Sequence, residues 1–388
     1  MILLALSGYK NYAPGDLLGG YIYRGIKSRL KSIDIIIDSM ADGGEGTLKK
    51  LVNFNNGRTR NLTGFNALGE PVKVQVGEFI KNKKKYIIFE TFQTAGFGYS
   101  RPKKFNTLHT SSYGTGSALR KILNKKPDIL VIGLGGSIVS DGGLGLGSAL
   151  GLKYLDNKGK IVLPTKINFS CLDLLRIKKI KLNKKKLIKN TKIVILSDAN
   201  IDLIGNNGQA KTFGPQKGAT IKEINFIENS LMHWNNLLKE TYSKDFNIPY
   251  AGASGGMGAG ISAILNGKIH SGAEYILKNT KLKKRIKHSK YIVLGEGTID
   301  KSTLLNKGIL ALAKESKKQG KIVFGVFGSI KCKKNLIDQY FDHIINVSSL
   351  ASKNNLSKDY FKKKKGYLLF EKVGNYIANK IMIYEKNL

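Results

Sequence analysis

Short apolar runs recur along the chain and alternate with longer amphipathic stretches. The runs are typical of buried strands and read MILLAL, IDIIID, YIIFE, DILVIGLG, KIVILSD, YIVLGEG, KIVFGVFG and HIINV. Between them, helical periodicity predicts helices in SSYGTGSALRKILNK, EINFIENSLMHWNNLLKE and STLLNKGILALAKESKKQ, with Gly320 as the C-cap of the last. Strands that alternate with helices predict an α/β fold with largely parallel sheets.

The length of the chain predicts two domains, because its 388 residues exceed the size at which one core keeps growing. The longest apolar runs fall well short of the ~20 residues that a bilayer span requires. The opening MILLALSGYK has neither the basic leader nor the cleavage site of a signal peptide and is typical of a buried first strand. Cys171 and Cys332 lie far apart without His or Cys at ligand spacing, so we expect neither a disulfide framework nor a zinc site. We therefore expect a cytoplasmic protein without membrane spans.

The net charge of +38, from 65 Lys and Arg against 27 Asp and Glu, first suggests a nucleic-acid partner. The excess is mostly lysine, however, and it is scattered along a chain that is also rich in Ile and Asn, as a low-GC coding bias would produce. No aromatic and basic RNA-binding motif, zinc finger or heptad array accompanies it. The charge therefore favours a solvated lysine surface that attracts small anions, and makes a nucleic-acid partner the weaker alternative.

A glycine-rich stretch, ADGGEGT at 41–47, follows the apolar run IDIIIDSM and contains two acids, Asp42 and Glu45. Glycines at such a junction usually let the backbone approach a phosphate, but the two negative charges would repel a bare phosphate. Either the acids cap the helix that begins at TLKKLV, or a cation lies between them and an anionic ligand.

Two other stretches come close to nucleotide-binding motifs and depart from them. GNNGQAKT at 205–212 fits the P-loop pattern except for Ala210, and it does not directly follow a strand. GEGTID at 295–300 follows a strand, but Asp300 replaces the third glycine of the dinucleotide fingerprint and Glu296 would face the pyrophosphate. An NAD enzyme is therefore disfavoured, and a second glycine loop with two acids remains.

Further loops at predicted strand ends carry polar residues among glycines. They contribute Ser137, Ser140 and Asp141 in GLGGSIVSDGG, Asp198 and Asn200 in SDAN, Gln216 and Lys217 in FGPQKGA, and Ser254, Gly255 and Gly256 in ASGGMGAG. Any one of these could be a tight turn, a helix cap or solvated surface. Together, acids for Mg²⁺, bare amides for phosphate oxygens and lysines for residual charge indicate phosphoryl transfer without a standard P-loop.

In these loops the chain resembles the bacterial type I glycerate kinase family, the glycerate 2-kinases. The matching stretches are, in order, ADGGEGT, the GGS and DGG of GLGGSIVSDGG, LGLKYLDNKG, FGPQKGA, ASGGMGAG, and GEG with Asp300, Thr303 and Lys307. The resemblance implies ATP- and Mg²⁺-dependent phosphorylation of D-glycerate, with 2-phosphoglycerate favoured as the product. It also implies two α/β domains with the active site in the cleft between them. A Rossmann- or flavodoxin-like domain would be formed by residues 1–62 plus 286–388, around an inserted mixed α/β domain at 63–285.

Within that resemblance each candidate residue receives a role. Asp42 and Glu45 would hold the metal, Asp198 would accept the proton of the attacking hydroxyl, and Glu296 would act beside them in catalysis. Substrate or nucleotide binding would fall to Lys10, Ser137, Asp141, Asn200, Gln216, Lys217, Ser254, Gly255, Gly256 and Asp300.

The chain departs from the family pattern at several of these loops. Ser7 and Ser140 stand where the family has Asp and Asn, and Thr298 and Ser302 stand where it has Arg and Gln. Loss of the arginine predicts a roomier and less positive pocket for the substrate carboxylate unless nearby lysines compensate. Another small hydroxy acid as substrate, a non-catalytic sensor and a nucleic-acid-binding protein therefore remain alternatives, and the oligomeric state stays open.

Overall fold

The computed structural model describes residues 1–9, 12–96, 105–181, 190–197, 199–300, 303, 308–353 and 364–386. The chain forms two compact units: residues 1–41 with 276–388, here the first unit, and residues 42–275, the second unit. Every helix in the described ranges is too short or too polar to cross a bilayer.

The elements follow one another in an α/β order that confirms the predicted fold class. The strands are β1 (Ile2–Leu6), β2 (Ile35–Ile37), β3 (Arg58–Phe65), β4 (Pro71–Lys81), β5 (Lys84–Glu90), β6 (Ile129–Leu134), β7 (Lys153–Leu155), β8 (Lys179–Lys181), β9 (Lys192–Ser197), β10 (Lys268–Ser271), β11 (Tyr291–Ile299), β12 (Ile322–Ile330) and β13 (His343–Asn346). The helices are α1 (Gly15–Lys27), α2 (Thr47–Phe54), α3 (Phe92–Ala95), α4 (Tyr113–Leu123), α5 (Leu144–Ala149), α6 (Gln209–Phe213), α7 (Ile221–Tyr242), α8 (Ala253–Ile264), α9 (Gly272–Asn279), α10 (Leu282–His288), α11 (Gly308–Lys318), α12 (Val347–Lys353) and α13 (Leu368–Lys386). Short 3₁₀ helices include Cys171–Arg176 and Pro215–Lys217.

The first unit is built on a parallel five-stranded sheet in the order β13-β12-β11-β1-β2. The central strands β1 and β11 are almost continuously apolar because helices cover both faces of such a sheet. Helices α1 and α13 pack so closely that a Cβ at Gly25 would overlap the carbonyl oxygen of Glu371. The runs MILLAL, YIVLG and KIVFGVFG, which are far apart in the sequence, thus lie in one sheet.

The second unit contains a six-stranded mixed sheet in the order β10-β9-β6-β5-β4-β3. Strands β10, β9, β6 and β5 run parallel, whereas β4 is antiparallel to both of its neighbours. Asn82 and Lys83 both have positive φ in the two-residue turn between β4 and β5, as a tight hairpin requires. One buried apolar core of this unit lies on the sheet and helices α4, α5 and α8, and a second surrounds Trp234 of α7.

The predicted domain boundaries, after residues 62 and 285, differ from those of the compact units, which lie after residues 41 and 275. The reason is the packing of α2, which contacts β4 and β5 of the second unit. A Cβ at Gly77 of β4 would overlap Val52 of α2 and lie 3.2 Å from Leu48. Residues 42–46 and α2 therefore belong to the second unit.

Candidate active site

The acidic loop, residues 42–47, crosses the carboxyl edge of the sheet in the second unit. A Cβ at Gly43 would lie 3.0 Å from Cα of Gly272 and 3.1 Å from the backbone of Leu196, next to the ends of β10 and β9. A Cβ at Gly133, near the end of β6, would lie 2.7 Å from the carbonyl oxygen of Gly43. Ligands of α/β proteins collect at this edge, so the fold brings the acidic loop to a place where binding residues are expected.

The acidic loop does not use its own acids to cap α2. The N-cap of α2 is Gly46, with φ +94° and no side-chain cap. The amide of Leu48 instead donates to Oε1 of Glu90 at 2.9 Å. Asp42 is half-buried and Oδ1 of its carboxylate accepts the amide of Gly44 at 3.4 Å, while Glu45 is exposed. The capping alternative for these two acids is therefore wrong.

The serine loop, residues 135–143, follows β6 and is held by side chains from distant parts of the chain. The hydroxyl of Ser254 donates to the carbonyl of Gly135 at 2.6 Å. The ammonium of Lys217 donates to the carbonyl of Val139 at 2.5 Å and to the hydroxyl of Ser140 at 3.4 Å. These contacts hold the backbone of the loop through the carbonyls of Gly135 and Val139.

Lys217 is only 4% exposed, although its residue type is usually solvated. Burial lowers the pKa of its ammonium to about 7, against the opposing effect of the nearby Asp141 carboxylate. The neighbouring Gln216 lies exposed on the same 3₁₀ helix. Of the two predicted binding residues in FGPQKGA, the lysine thus contacts the serine loop and the glutamine faces solvent.

Asp141 is fully buried, and its carboxylate holds the start of α5. Oδ2 accepts the amide and the hydroxyl of Ser112 at 2.9 and 2.8 Å and the amide of Gly145 at 3.1 Å, and Oδ1 accepts the amide of Gly143 at 3.3 Å. Burial raises the pKa of Asp141, while these hydrogen bonds oppose the increase. Its contacts in this structure are therefore those of a residue that shapes the loop.

Ser137 of the serine loop has a buried side chain that makes no hydrogen bond within the described part of the chain. Its side chain is buried, with 4% exposure, yet its hydroxyl has no hydrogen-bond partner among the described residues. The adjacent Gly136 is exposed. A buried hydroxyl without a partner is unfavourable, so Ser137 is a strong candidate to contact a ligand.

The glycine turn, residues 254–256, lies against the serine loop. Ser254, Gly255 and Gly256 all have left-handed backbone conformations, with φ of +51°, +73° and +85°. The amide of Gly142 donates to the carbonyl of Gly255 at 3.0 Å, and a Cβ at Gly255 would overlap the carbonyl oxygen of Val139. Glycine at 255 is thus required both by its conformation and by the close approach of the two loops.

The first unit carries a separate group of predicted residues at the ends of β1 and β11. The hydroxyl of Ser7 donates to the carbonyl of Gly295 at 3.0 Å, and Thr298 shares a 2.9 Å hydrogen bond with Ser329 of β12. Glu296 and Thr298 are two residues apart in β11 and therefore point to the same face of the sheet. Asp300 ends this segment, with Oδ1 accepting the amide of Thr303 at 3.2 Å.

Three predicted residues remain to be placed. Asn200 is half-buried just beyond the end of β9. Lys10 and Asp198 lie outside the described residues, although β9 ends at Ser197, immediately before Asp198. Sequence reasoning missed Glu90, which ends β5 and could have been found as an acid at a predicted strand end, like Asp198.

Within the described ranges, no group of three or more His, Cys, Asp or Glu side chains could hold a metal ion. Mg²⁺ usually takes only one or two protein carboxylates and completes its shell with water and substrate phosphates. The acidic loop contains two carboxylates, the half-buried Asp42 and the exposed Glu45, which is the number that this ion takes from a protein.

Known proteins resemble this chain over most of its length. Residues 2–380 match the model of the glycerate kinase family. The chain is 31% identical to a glycerate kinase of Halalkalibacterium halodurans over 85% of both chains. It is 30% identical to a glycerate 2-kinase of Escherichia coli, covering 89% of this chain and 90% of the relative. A crystal structure from Salmonella typhimurium LT2, named as a candidate glycerate kinase 2, covers 99% of both chains with a TM-score of 0.75 and 24% identity, and it supports the fold alone.

Proposed function

The chain belongs to the glycerate kinase family of phosphotransferases, and on that premise we propose that it transfers the γ-phosphoryl group of ATP to D-glycerate. The proposed reaction requires Mg²⁺ and yields 2-phosphoglycerate. The position of the acidic loop at the carboxyl edge of the sheet, beside the end of β9, is the main support for this proposal.

The two acids of the loop explain the metal requirement in physical terms. ATP brings roughly four negative charges and glycerate one more, so carboxylates beside them are tolerable only with a cation between. Asp42 and Glu45 would hold Mg²⁺ directly or through water, and the ion would neutralise charge on the phosphates. Asp198 would accept the proton from the substrate hydroxyl as the phosphoryl group transfers.

The serine loop and the glycine turn would bind the anionic parts of the substrates. We assign Ser137 to direct contact with a phosphate or carboxylate oxygen, because its buried hydroxyl has no partner among the described residues. Lys217 and Asp141 would act through the loop, since their polar atoms already bond Val139 and Gly145. Backbone amides held in this way need no rearrangement when negative charge develops.

The test is turnover by the purified protein with ATP, Mg²⁺ and D-glycerate, followed by ADP release, with the product isomer read by phosphorus NMR. We expect Asp42→Asn to lower kcat at least about a hundredfold, as loss of a group that stabilises charge in the transition state typically does. Asp156→Asn is a matched control, because Asp156 also accepts an amide two residues ahead, at 2.9 Å, but lies outside the acidic loop. Activity of Asp42→Asn within about threefold of the parent would refute the metal role.

The substitution at position 298 favours one alternative substrate class. Thr298 bonds Ser329 and provides no positive charge, so another small hydroxy acid could bind in place of D-glycerate. The same assay with a panel of such acids decides between them. If another acid is turned over faster than D-glycerate at equal concentration, that acid replaces D-glycerate as the proposed substrate.

A further inference from the structure

Glu90, the last residue of β5, lies beneath the acidic loop and is 5% exposed. Its Oε1 accepts the amide of Leu48 at 2.9 Å, and the amides of Gly46 and Thr47 lie close enough to stabilise the charge of its carboxylate. One buried side chain thus faces the first amides of α2 and accepts that of Leu48. A carboxylate is the favoured partner there because the N-terminus of a helix carries partial positive charge.

The contacts of Glu90 continue into the part of the loop that carries Asp42. Thr47, which precedes Leu48 in the chain, accepts the amide of Gly43 with its hydroxyl at 3.0 Å. The amide of the next residue, Gly44, donates to Asp42. Since Gly46 provides no side-chain cap, this series of hydrogen bonds links the end of β5 to the backbone around Asp42.

The burial of Glu90 is unfavourable on its own. Burial raises the pKa of its carboxyl to about 7, the α2 amides oppose the increase, and the negative charge of Glu45 adds to it. Replacing the glutamate by an apolar residue would remove that cost but would leave the buried amide of Leu48 without this acceptor. The arrangement is therefore best explained by the geometry that it gives to the loop.

We propose that Glu90 is a positioning residue that fixes the acidic loop, and through it Asp42, for the Mg²⁺-bound phosphates. The kinetic part of this inference rests on the proposed function. The structural part, control of the loop by Glu90, does not.

The structural part is tested by hydrogen exchange of the 42–54 backbone in the parent, Glu90→Ala and Glu90→Gln. Glu228→Ala is the matched control, because Glu228 is also buried and accepts a backbone amide, that of Gly205 at 2.6 Å, outside the acidic loop. We expect exchange in 42–54 to rise at least about tenfold in Glu90→Ala, which corresponds to about 1.4 kcal/mol. Glu90→Gln keeps a carbonyl acceptor, so its hydrogen exchange should stay nearer to that of the parent. This variant also serves as one that folds.

The kinetic part is tested by the dependence of the rate on Mg²⁺ and on D-glycerate. We expect Glu90→Ala to raise the half-saturating Mg²⁺ concentration at least about tenfold, while KM for D-glycerate changes less than about threefold. Glu90→Gln should recover most of the Mg²⁺ affinity. If Glu90 only stabilised the fold, Glu90→Ala would lower the unfolding temperature. Below that temperature, the half-saturating Mg²⁺ concentration and KM for D-glycerate would then not change by different factors.

Two results would overturn the proposal: unchanged exchange in 42–54 in Glu90→Ala, or an equal increase of both kinetic constants. If the parent protein fails to turn over ATP with D-glycerate, the proposed function fails instead. Hydrogen exchange then still decides whether Glu90 controls the loop.

Discussion

Replacing Lys217 by Met should change how the stability of the second unit depends on pH. Lys217 is buried against Val139 and Ser140, and burial lowers the pKa of its ammonium to about 7. In the unfolded chain the same group titrates near its ordinary value of 10.5. Methionine has a similar length and no charge, so it removes the titration while largely filling the space.

The sign and size of the effect follow from the two pKa values. Below about pH 7 the lysine is charged in both states, and the full cost of burying the charge is present. As the pH rises above 7, the folded protein loses the proton before the unfolded chain does, so the unfolded state binds more protons and stability increases. Two pH units at about 1.4 kcal/mol each predict a gain of about 3 kcal/mol for the parent between about pH 6 and about pH 9. Lys217→Met should lack this gain.

The assay is urea unfolding followed by fluorescence of Trp234, the only tryptophan of the chain. Its indole is fully buried and donates to the carbonyl of Gly142 at 3.0 Å, so it reports on the serine loop and the second unit. Other titrating groups are common to both proteins and largely cancel in the difference between parent and variant. Lys211→Met, an exposed lysine on α6, is the control and should follow the parent at each pH. A parent-minus-variant difference that stays within about 1 kcal/mol over this range would show that Lys217 does not titrate as argued.

Two further substitutions test the loops of each unit. Gly255→Ala should lower the free energy of unfolding by about 1–3 kcal/mol or more and reduce turnover, because φ is +73° and the new Cβ would overlap Val139. The control is Gly159→Ala, which has the same φ of +73° but open space around the new Cβ, so it should cost less stability. Equal losses of stability in the two variants, measured by unfolding followed with Trp234 fluorescence, would contradict the packing argument. Thr298→Arg should lower KM for D-glycerate about tenfold by adding a charged donor, whereas Thr298→Met should not; an unchanged KM in both, measured by ADP release, would place position 298 away from the substrate.

Most of the parallel strands could be predicted from the sequence because they read as continuous apolar runs; β10 is the exception, since KIHS is partly exposed and carries polar residues. All eight predicted runs contain strands of the structure. The antiparallel part was not predicted, and β3 shows why: RTRNLTGF is exposed along most of its length, so no apolar run marks it. Its place in the sheet depends on pairing with β4, which local composition does not specify.

The sequence by itself determined the α/β class, the family resemblance and the glycine loops at the strand ends, because each depends on residue types within a short stretch. Only the tertiary structure decided what the charged residues in those loops contact. The amide of Leu48 meets Glu90, and Lys217 meets Val139, across separations of 42 and 78 residues. Hydrogen bonds between such distant positions, and the burial that shifts the pKa values of Glu90 and Lys217, arise only when the chain packs, so no local pattern could have assigned them.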